Sequence, residues 1–410
     1  MKIEEILKKY NQDHIINILN KLDEEKKQDL INQINKIDFE KMARLYNKTK
    51  EDLKINAKIE PLGFVDKSKI SKEEKERISK IGEEIISKNE YAVVTMAGGQ
   101  GTRLGFNGPK GTYKLNVNGE EKYIFEILLD TIKAENKKHN SEVYWYIMTS
   151  DDNNCDTVKF FEENNYFGYN KEKVKFFKQS NLPLMSTEGK LLLNKNYRIK
   201  EASDGNGGVF SALVNDGMID DMKKHNVKWV YICGVDNIMV RPIDSLFLGL
   251  AVEKNVECAS KSVVKSYPEE KVGAFCKKNG KPGVVEYIEM TKEMVYGKNE
   301  DDELLYGESH IVSNMFTVEA IEKIAKENLE YHVALKKNSY INENGEEIIP
   351  EEPNSYKFEA FIFDGFQFFD DLLVMRINRN TEFAPIKNAK GIDSPDSAKE
   401  IYEKYYKDWE

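Results

Sequence analysis

Residues 95–115 read TMAGGQGTRLGFNGPKGTYKL, with Gly98, Gly99 and Gly101 close together and two cations, Arg103 and Lys110, on the C-terminal side of the glycines. Glycines at this density allow several backbone N–H groups to turn toward one set of phosphate oxygens, because no Cβ keeps a ligand at a distance. Arg103 and Lys110 bring positive charge to two points of the same loop. The spacing fits neither familiar phosphate loop. A Walker A loop needs GxxxxGK[ST], whereas Lys110 follows Pro109 and precedes Gly111. The dinucleotide fingerprint needs GxGxxG, and after Gly99-x-Gly101 the next glycine, Gly105, comes one residue late. The bland alternative is a glycine-rich turn with solvated cations.

Cys233-Gly234-Val235-Asp236-Asn237 closes the apolar run 229–232. A carboxylate at the carboxyl end of a central strand is placed to hold a divalent cation that bridges phosphates, and Mg²⁺ suits carboxylate and phosphate oxygens best. The alternative for Asp236 is a turn-starting residue. Asp204-Gly205-Asn206-Gly207-Gly208 precedes a helical pattern, and its backbone could wrap a base or a sugar, the Asn206 amide both donating and accepting. Glu286-Tyr287 follows Gly283-Val284-Val285 in an expected strand, whose alternation would turn one of the pair toward a cleft. Asn314 sits in Ser313-Asn314-Met315-Phe316, while Lys357 and Lys387 adjoin aromatic or apolar runs where lysines ordinarily snorkel. The histidines are scattered at 14, 139, 225, 310 and 332, and HExxH, GxSxG and kinase signatures are absent, which sets aside hydrolase triads and zinc proteases.

The elements that must position these residues are legible as an alternation. Strand-like runs at 91–96, 143–149, 174–178 and 229–235 are separated by helical patterns near 122–138, 155–164 and 209–225, the signature of a mostly parallel sheet with helices on both faces. Right-handed crossovers make a doubly wound α/β domain the simplest solution, with the glycine-rich loop at a strand end, where such sheets bind ligands. Residues 1 to about 60 predict two or three amphipathic helices. A further helix over 72–88 is announced by a Ser71/Glu74 capping box. Beyond Val240 come strands with a hairpin signal at Asn279-Gly280, extending the sheet as a lid. An aromatic-dense stretch at 358–369, a strand at 372–377 and a short helix after Ser394-Pro395 complete the chain. The expected domains are a helical region 1–88, a catalytic α/β domain 89–378 and a small C-terminal region 379–410.

The 410 residues include 32% charged side chains with a net charge of −10, so no basic field exists to hold a nucleic-acid backbone. A nucleotide remains possible, since a few lysines, backbone N–H groups and one cation suffice for one phosphate group. The four cysteines show no CxxC spacing and read as buried free thiols. The chain starts on a charged amphipathic pattern instead of an apolar leader, and no run is long enough to span a bilayer. A cytoplasmic protein without membrane or nucleic-acid partners, monomeric or weakly homo-oligomeric, is expected.

Taken together, MAGGQGTRLGFNGPKG, FFKQSNLPLMS, DGNGGVFSAL, YICGVDNIMV, GVVEYIEM, SNMF, KFEAFIFDGF and EFAPIKN resemble, in order, the motifs of the UDPGP-type uridylyltransferases. They are most similar to those of the eukaryotic-type UDP-N-acetylglucosamine pyrophosphorylases, over about residues 91–390. The resemblance implies a Rossmann-like, GT-A-like nucleotidyltransferase fold and a Mg²⁺-dependent reaction of UTP with a sugar 1-phosphate. It implies that Met96, Ala97, Gly98 and Gly99 contact the nucleotide, that Lys110, Gln179, Gly205, Asp236 and Lys357 bind UTP or its metal, and that Asn206, Glu286, Tyr287, Asn314 and Lys387 hold the sugar or its phosphate. Arg103, Lys110 and Lys387 would supply catalytic charge and Asp236 the metal ligand. N-acetylglucosamine 1-phosphate is the expected sugar, glucose or galactose 1-phosphate the alternative, and a catalytically silent UDP-sugar binder the reading from another class. Met96 stands where the family often has Leu, a volume-conserving change. The family's additional C-terminal domain is expected to be reduced to the last helix, and the hexapeptide-repeat half of bifunctional bacterial enzymes to be absent.

Overall fold

A computed structural model describes residues 3–50 and 57–405, so the last five residues of the expected C-terminal region, 406–410, lie outside it. The described residues fall into two compact units. One is drawn from Met1–Ile55, Ser180–Gly208 and Leu329–Phe361, the other from Asn56–Gln179, Val209–Asn328 and Ile362–Glu410. This division cuts the chain differently from the expected domains. Helix Lys72–Ser87 belongs to the larger unit, while the N-terminal helices belong to the smaller, because each segment follows the core that buries its apolar face.

The larger unit is built on a mixed, mostly parallel sheet. Its strands run in the order Val65–Asp66, Leu373–Arg376, Cys258–Val264, Glu308–Thr317, Trp229–Gly234, Tyr91–Met96, Tyr144–Thr149 and Val174–Lys178. Glu308–Thr317 pairs antiparallel with both neighbours, and the other pairs along this order are parallel. Tyr91–Met96 and Tyr144–Thr149 are buried throughout, as central strands covered on both faces must be. Successive side chains show the two layers. Trp145 meets the ring of Phe125 from helix Ile124–His139, while Tyr146, next along the strand, donates through its hydroxyl to Asp221 of helix Met218–Lys224 at 2.8 Å. The expected α/β class with helices on both faces is therefore the observed one.

Local signals set the element ends. Ser71 accepts from the Glu74 backbone and Glu74 reaches back to Ser71, so the capping box starts helix Lys72–Ser87 as read. Asn279 and Gly280, with φ of 51° and 82°, form the two-residue turn between Ala274–Lys278 and Lys281–Val285. Two expectations need correction. The helix predicted over 209–225 is two helices, Val209–Asn215 and Met218–Lys224, because Gly217 adopts a left-handed φ of 74° that an α-helix cannot continue. The strand carrying Gly283-Val284-Val285 ends at Val285, so Glu286 and Tyr287 lie in the turn beyond it and strand alternation does not orient them.

In the smaller unit the N-terminal segment forms four helices, Ile3–Lys9, Asp13–Leu19, Glu24–Ile34 and Phe39–Lys48, one more than the upper expectation. Asp23 and Asp38 cap the last two by accepting from Lys26 and Lys41 backbone N–H groups. The helices pack on residues 182–199 and on the three-stranded sheet of His332–Lys336, Ser355–Glu359 and Met185–Ser186. Two buried amides tie this unit together. Gln12 donates to Gly189 O and accepts from Leu191 N, both at 2.8 Å, and Gln33 donates to and accepts from Ile199, again at 2.8 Å. Each thereby satisfies both of its polar ends inside a core.

Candidate functional site

In the larger unit the glycine-rich loop leaves the end of strand Tyr91–Met96 and folds back on itself. Met96 O accepts from Val235 N and Ala97 N donates to Met148 O, fixing the strand end between both neighbours. Gln100 bridges Pro109, and Lys110 N donates to Gly99 O at 3.1 Å, so the excursion between them returns Lys110 to the glycines. Asn153, fully buried, donates to Ala97 O at 2.9 Å and to Gly99 O at 3.4 Å. At Gly98 a Cβ would stand 2.2 Å from Gln179 Oε1, so the absence of a side chain lets the Gln179 amide lie against the loop backbone.

Lys110 is half-buried. Burial lowers its pKa, the Asp236 carboxylate opposes that effect, and Lys387 and Arg103 reinforce it. Three side chains from three sequence motifs therefore act on Lys110. Arg103 is exposed on the turn Thr102–Leu104, and Lys387 is exposed with its Nζ 3.8 Å from Asp393 Oδ2. Asp236 follows strand Trp229–Gly234, and a Cβ at Gly234 would lie 2.5 Å from Asp236 Oδ1, so glycine there leaves the carboxylate its space. Among the described residues no group of three or more His, Cys, Asp or Glu side chains could hold a metal by itself.

A lattice of bonds holds the Lys387 segment against Asp236. Ile386 N donates to Asp236 O at 2.9 Å. Buried Asn237 donates to Glu382 O and accepts from Ala384 N, both at 2.8 Å. Glu382 belongs in turn to a buried ion cluster that sequence reasoning missed. Lys261, with no exposed surface, lies 2.9 Å from Asp244 and 2.6 Å from Glu382, and Lys67 lies 3.2 and 3.0 Å from the same carboxylates. Burial works against the charge of Asp244, yet the Lys261 and Lys67 ammonium groups hold its carboxyl well below the usual range. The four residues are scattered in sequence within otherwise ordinary strand and loop patterns, which offered no spacing signal.

Asn314 sits in Glu308–Thr317, opposite Ile232 and Ser260, with no exposed surface. Its Oδ1 accepts from Ser260 Oγ at 2.7 Å and lies 3.1 Å from His310 Nε2. Glu286 is half-buried beside Gly273, and Tyr287 is exposed.

The smaller unit holds Gly205, Asn206 and Lys357. The loop 204–208 is laced to Ala360, whose N donates to Asp204 O at 2.7 Å and whose O accepts from Gly207 N at 2.9 Å. Gly205 is required twice over, since its φ is 91° and a Cβ would lie 2.2 Å from Ala360 O. Lys357 donates to Glu359 at 2.7 Å. Beside them, Asp204 is 2% exposed and its Oδ1 has no hydrogen-bond partner among the described residues. Burial raises its carboxyl from 3.8 to about 7, against the pull of Lys41 and Lys357.

Comparison with known proteins finds relatives over most of the chain. The family model UDPGP, described as UTP–glucose-1-phosphate uridylyltransferase, matches residues 36–393. A Dictyostelium discoideum protein named "Probable UDP-N-acetylglucosamine pyrophosphorylase" is 36% identical over 406 residues, covering 94% of this chain and 83% of that protein. A Mus musculus protein named UDP-N-acetylhexosamine pyrophosphorylase-like protein 1 is 38% identical over 312 residues, covering 74% of this chain and only 61% of the mouse protein's length. Among solved structures, the uridine diphosphate N-acetylglucosamine pyrophosphorylase of Trypanosoma brucei superposes with a TM-score of 0.85 at 28% identity, covering 100% of this chain and 86% of that one. No helix among the described residues is long and apolar enough to cross a membrane.

Proposed function

We propose that this chain, which belongs to the UDPGP family of uridylyltransferases, transfers the uridylyl group of UTP to N-acetylglucosamine 1-phosphate and releases pyrophosphate. The observation that carries the chemistry is the influence of Asp236, Lys387 and Arg103 on Lys110, which the backbone returns to the glycines at the end of a central strand. The sugar is carried by the names of the relatives with which the chain aligns over most of its length.

A phosphate oxygen of the sugar 1-phosphate attacks the α-phosphorus of UTP in line with the bridging oxygen to the β-phosphate. That bond breaks, and pyrophosphate leaves with its electron pair. Two anions must meet, so placement and charge neutralisation supply the catalysis and no side chain needs to form a covalent bond. Arg103 and Lys110 stabilise the α-phosphate and the departing pyrophosphate, and Lys387 steers the sugar phosphate. Met96, Ala97, Gly98, Gly99 and Gln179 receive the nucleotide. In the smaller unit Gly205 and Lys357 are assigned to UTP and Asn206 to the sugar, with Glu286, Tyr287 and Asn314 assigned to the sugar in the larger.

Asp236 fits a divalent cation of the Mg²⁺ kind. Such an ion takes one or two carboxylates plus substrate phosphates, in accord with a carboxylate given room by Gly234. When bound, it would neutralise phosphate charge. A cytoplasmic, monomeric or weakly oligomeric enzyme completes the proposal; all four cysteines are free, in accord with a reducing compartment, although Cys155 is exposed and only the other three are buried as expected.

Pyrophosphate release from UTP with a panel of sugar 1-phosphates tests this reading. Preference for N-acetylglucosamine 1-phosphate is expected. Preference for glucose 1-phosphate would overturn the sugar, and no release with any sugar would leave a silent UDP-sugar binder.

A further inference from the structure

Glu308–Thr317 is not a regular strand. Its pairing with Cys258–Val264 shifts between Ser260, opposite Asn314, and Ser262, opposite His310, and Val312 adopts a φ of 56°. Positive φ is a genuine outlier for a β-branched residue, and bulges of this kind re-aim side chains. In a regular strand residues i and i+4 stand about 13 Å apart. Here the His310 ring comes within 3.1 Å of the Asn314 amide. The strained residue thus brings together two side chains that regular geometry would keep apart.

His310 is packed edge-on against Phe275, Phe363 and Phe366, with centroids at 5.5, 5.4 and 6.1 Å. Its burial lowers its pKa from 6.5 to about 4, so the ring is neutral near pH 7 and carries one N–H. Asn314 Oδ1 receives both His310 Nε2 and the Ser260 hydroxyl, whereas Asn314 Nδ2 is buried with no hydrogen-bond partner among the described residues. A buried donor left unmade costs about 1–3 kcal/mol, so a fold does not keep one without return.

We propose that His310 and Ser260 are positioning residues for the sugar side of the reaction. By occupying Oδ1 of Asn314 they prevent the amide from flipping and commit Nδ2 to donate to an oxygen of the bound sugar 1-phosphate. The inference rests on the assignment of Asn314 to the sugar made above. It requires the Nε2–H tautomer of His310, since Oδ1 can only accept. With the amide reversed, Nδ2 would bond Ser260 and His310, the ring would be the Nδ1–H tautomer, and the ligand would meet an acceptor.

Two measurements on the full chain test this. Nitrogen-15 spectroscopy of the imidazoles, with His310 assigned by its loss in His310→Gln, is expected to show a neutral Nε2–H ring at pH 7 without substrate. A neutral Nδ1–H ring or an imidazolium overturns the amide assignment. In steady-state assays His310→Phe keeps an aromatic ring but loses the donor. It is expected to raise KM for the sugar 1-phosphate about tenfold, the equivalent of one net hydrogen bond, and to leave KM for UTP within about twofold. His310→Gln, which restores an N–H donor, is expected to recover most of the loss, and Ser260→Ala to show a smaller effect in the same direction. Equal loss for both substrates, or no recovery with Gln, overturns the positioning role. No turnover by the unmodified protein with any sugar 1-phosphate overturns the functional reading itself and removes the sugar as the target of Nδ2. The tautomer measurement judges the amide assignment independently.

Discussion

At the scale of single residues, catalysis depends on charge placed where phosphates would meet. Lys110 is the best-placed cation, because the backbone bond from Lys110 N to Gly99 O returns it to the glycines and because Asp236, Arg103 and Lys387 all act on it. Lys110→Ala is expected to lower turnover by about 10²-fold or more, the usual cost of removing one preorganised charge that stabilises a transition state. Near-full turnover of that variant in the pyrophosphate assay would remove Lys110 from the mechanism. Asp236→Asn keeps size and loses charge. The expectation is a steep rise in the divalent-cation concentration needed for half-maximal rate, and an unchanged metal dependence would show that the carboxylate does not hold the ion.

At the scale of elements, each unit has one device that holds candidate residues of its own in place. Gly205 closes the loop 204–208 onto Ala360, and Gly205→Ala meets a carbonyl oxygen at 2.2 Å in a backbone conformation that disfavours any side chain. The left-handed backbone alone costs about 1–2 kcal/mol, so a lower urea midpoint and a raised KM for UTP are expected together. A raised KM without loss of stability would mean that the loop tolerates the Cβ and that only ligand contact suffers. The second device is the buried cluster of Lys261, Asp244, Glu382 and Lys67 behind the Lys387 segment. Lys261→Ala leaves two buried carboxylates sharing one lysine, which should destabilise the larger unit by about 3–5 kcal/mol. Equilibrium unfolding measures this directly, and a loss below about 1 kcal/mol would show that water reaches the cluster.

At the scale of the whole molecule the two units should respond to pH in opposite directions. Asp204 in the smaller unit titrates at about 7 when folded against 3.8 ordinarily, so its contribution to stability is complete below about pH 4 and is lost as pH rises through 7. His310 in the larger unit titrates at about 4 against 6.5, so its contribution is present above pH 6.5 and is lost as pH falls through 4. Hydrogen exchange followed between about pH 4 and 8 should show protection of 180–208 falling with rising pH and protection around 308–317 falling with acid. Asp204→Asn should flatten the first trend, and an unchanged trend would place its origin elsewhere. Much of this molecule was legible in the chain alone. The α/β alternation, the capping box at Ser71, the Asn279-Gly280 turn and the glycine-rich loop at a strand end depend on local periodicity, backbone freedom and residue chemistry, which a sequence displays directly. The break at Gly217 was not legible in the chain, since an isolated glycine within a helical run is usually tolerated and its left-handed φ of 74° is settled only in the fold. Other features were fixed only by the tertiary structure: the approach of Lys387 to Asp236, the pairing of Lys261 with Asp244 and Glu382, the meeting of His310 with Asn314 across a bulge, and the raised carboxyl of Asp204. Each arises between residues distant in sequence or set by a shifted register, and its energy comes from burial and mutual charge, which exist only once the chain has folded.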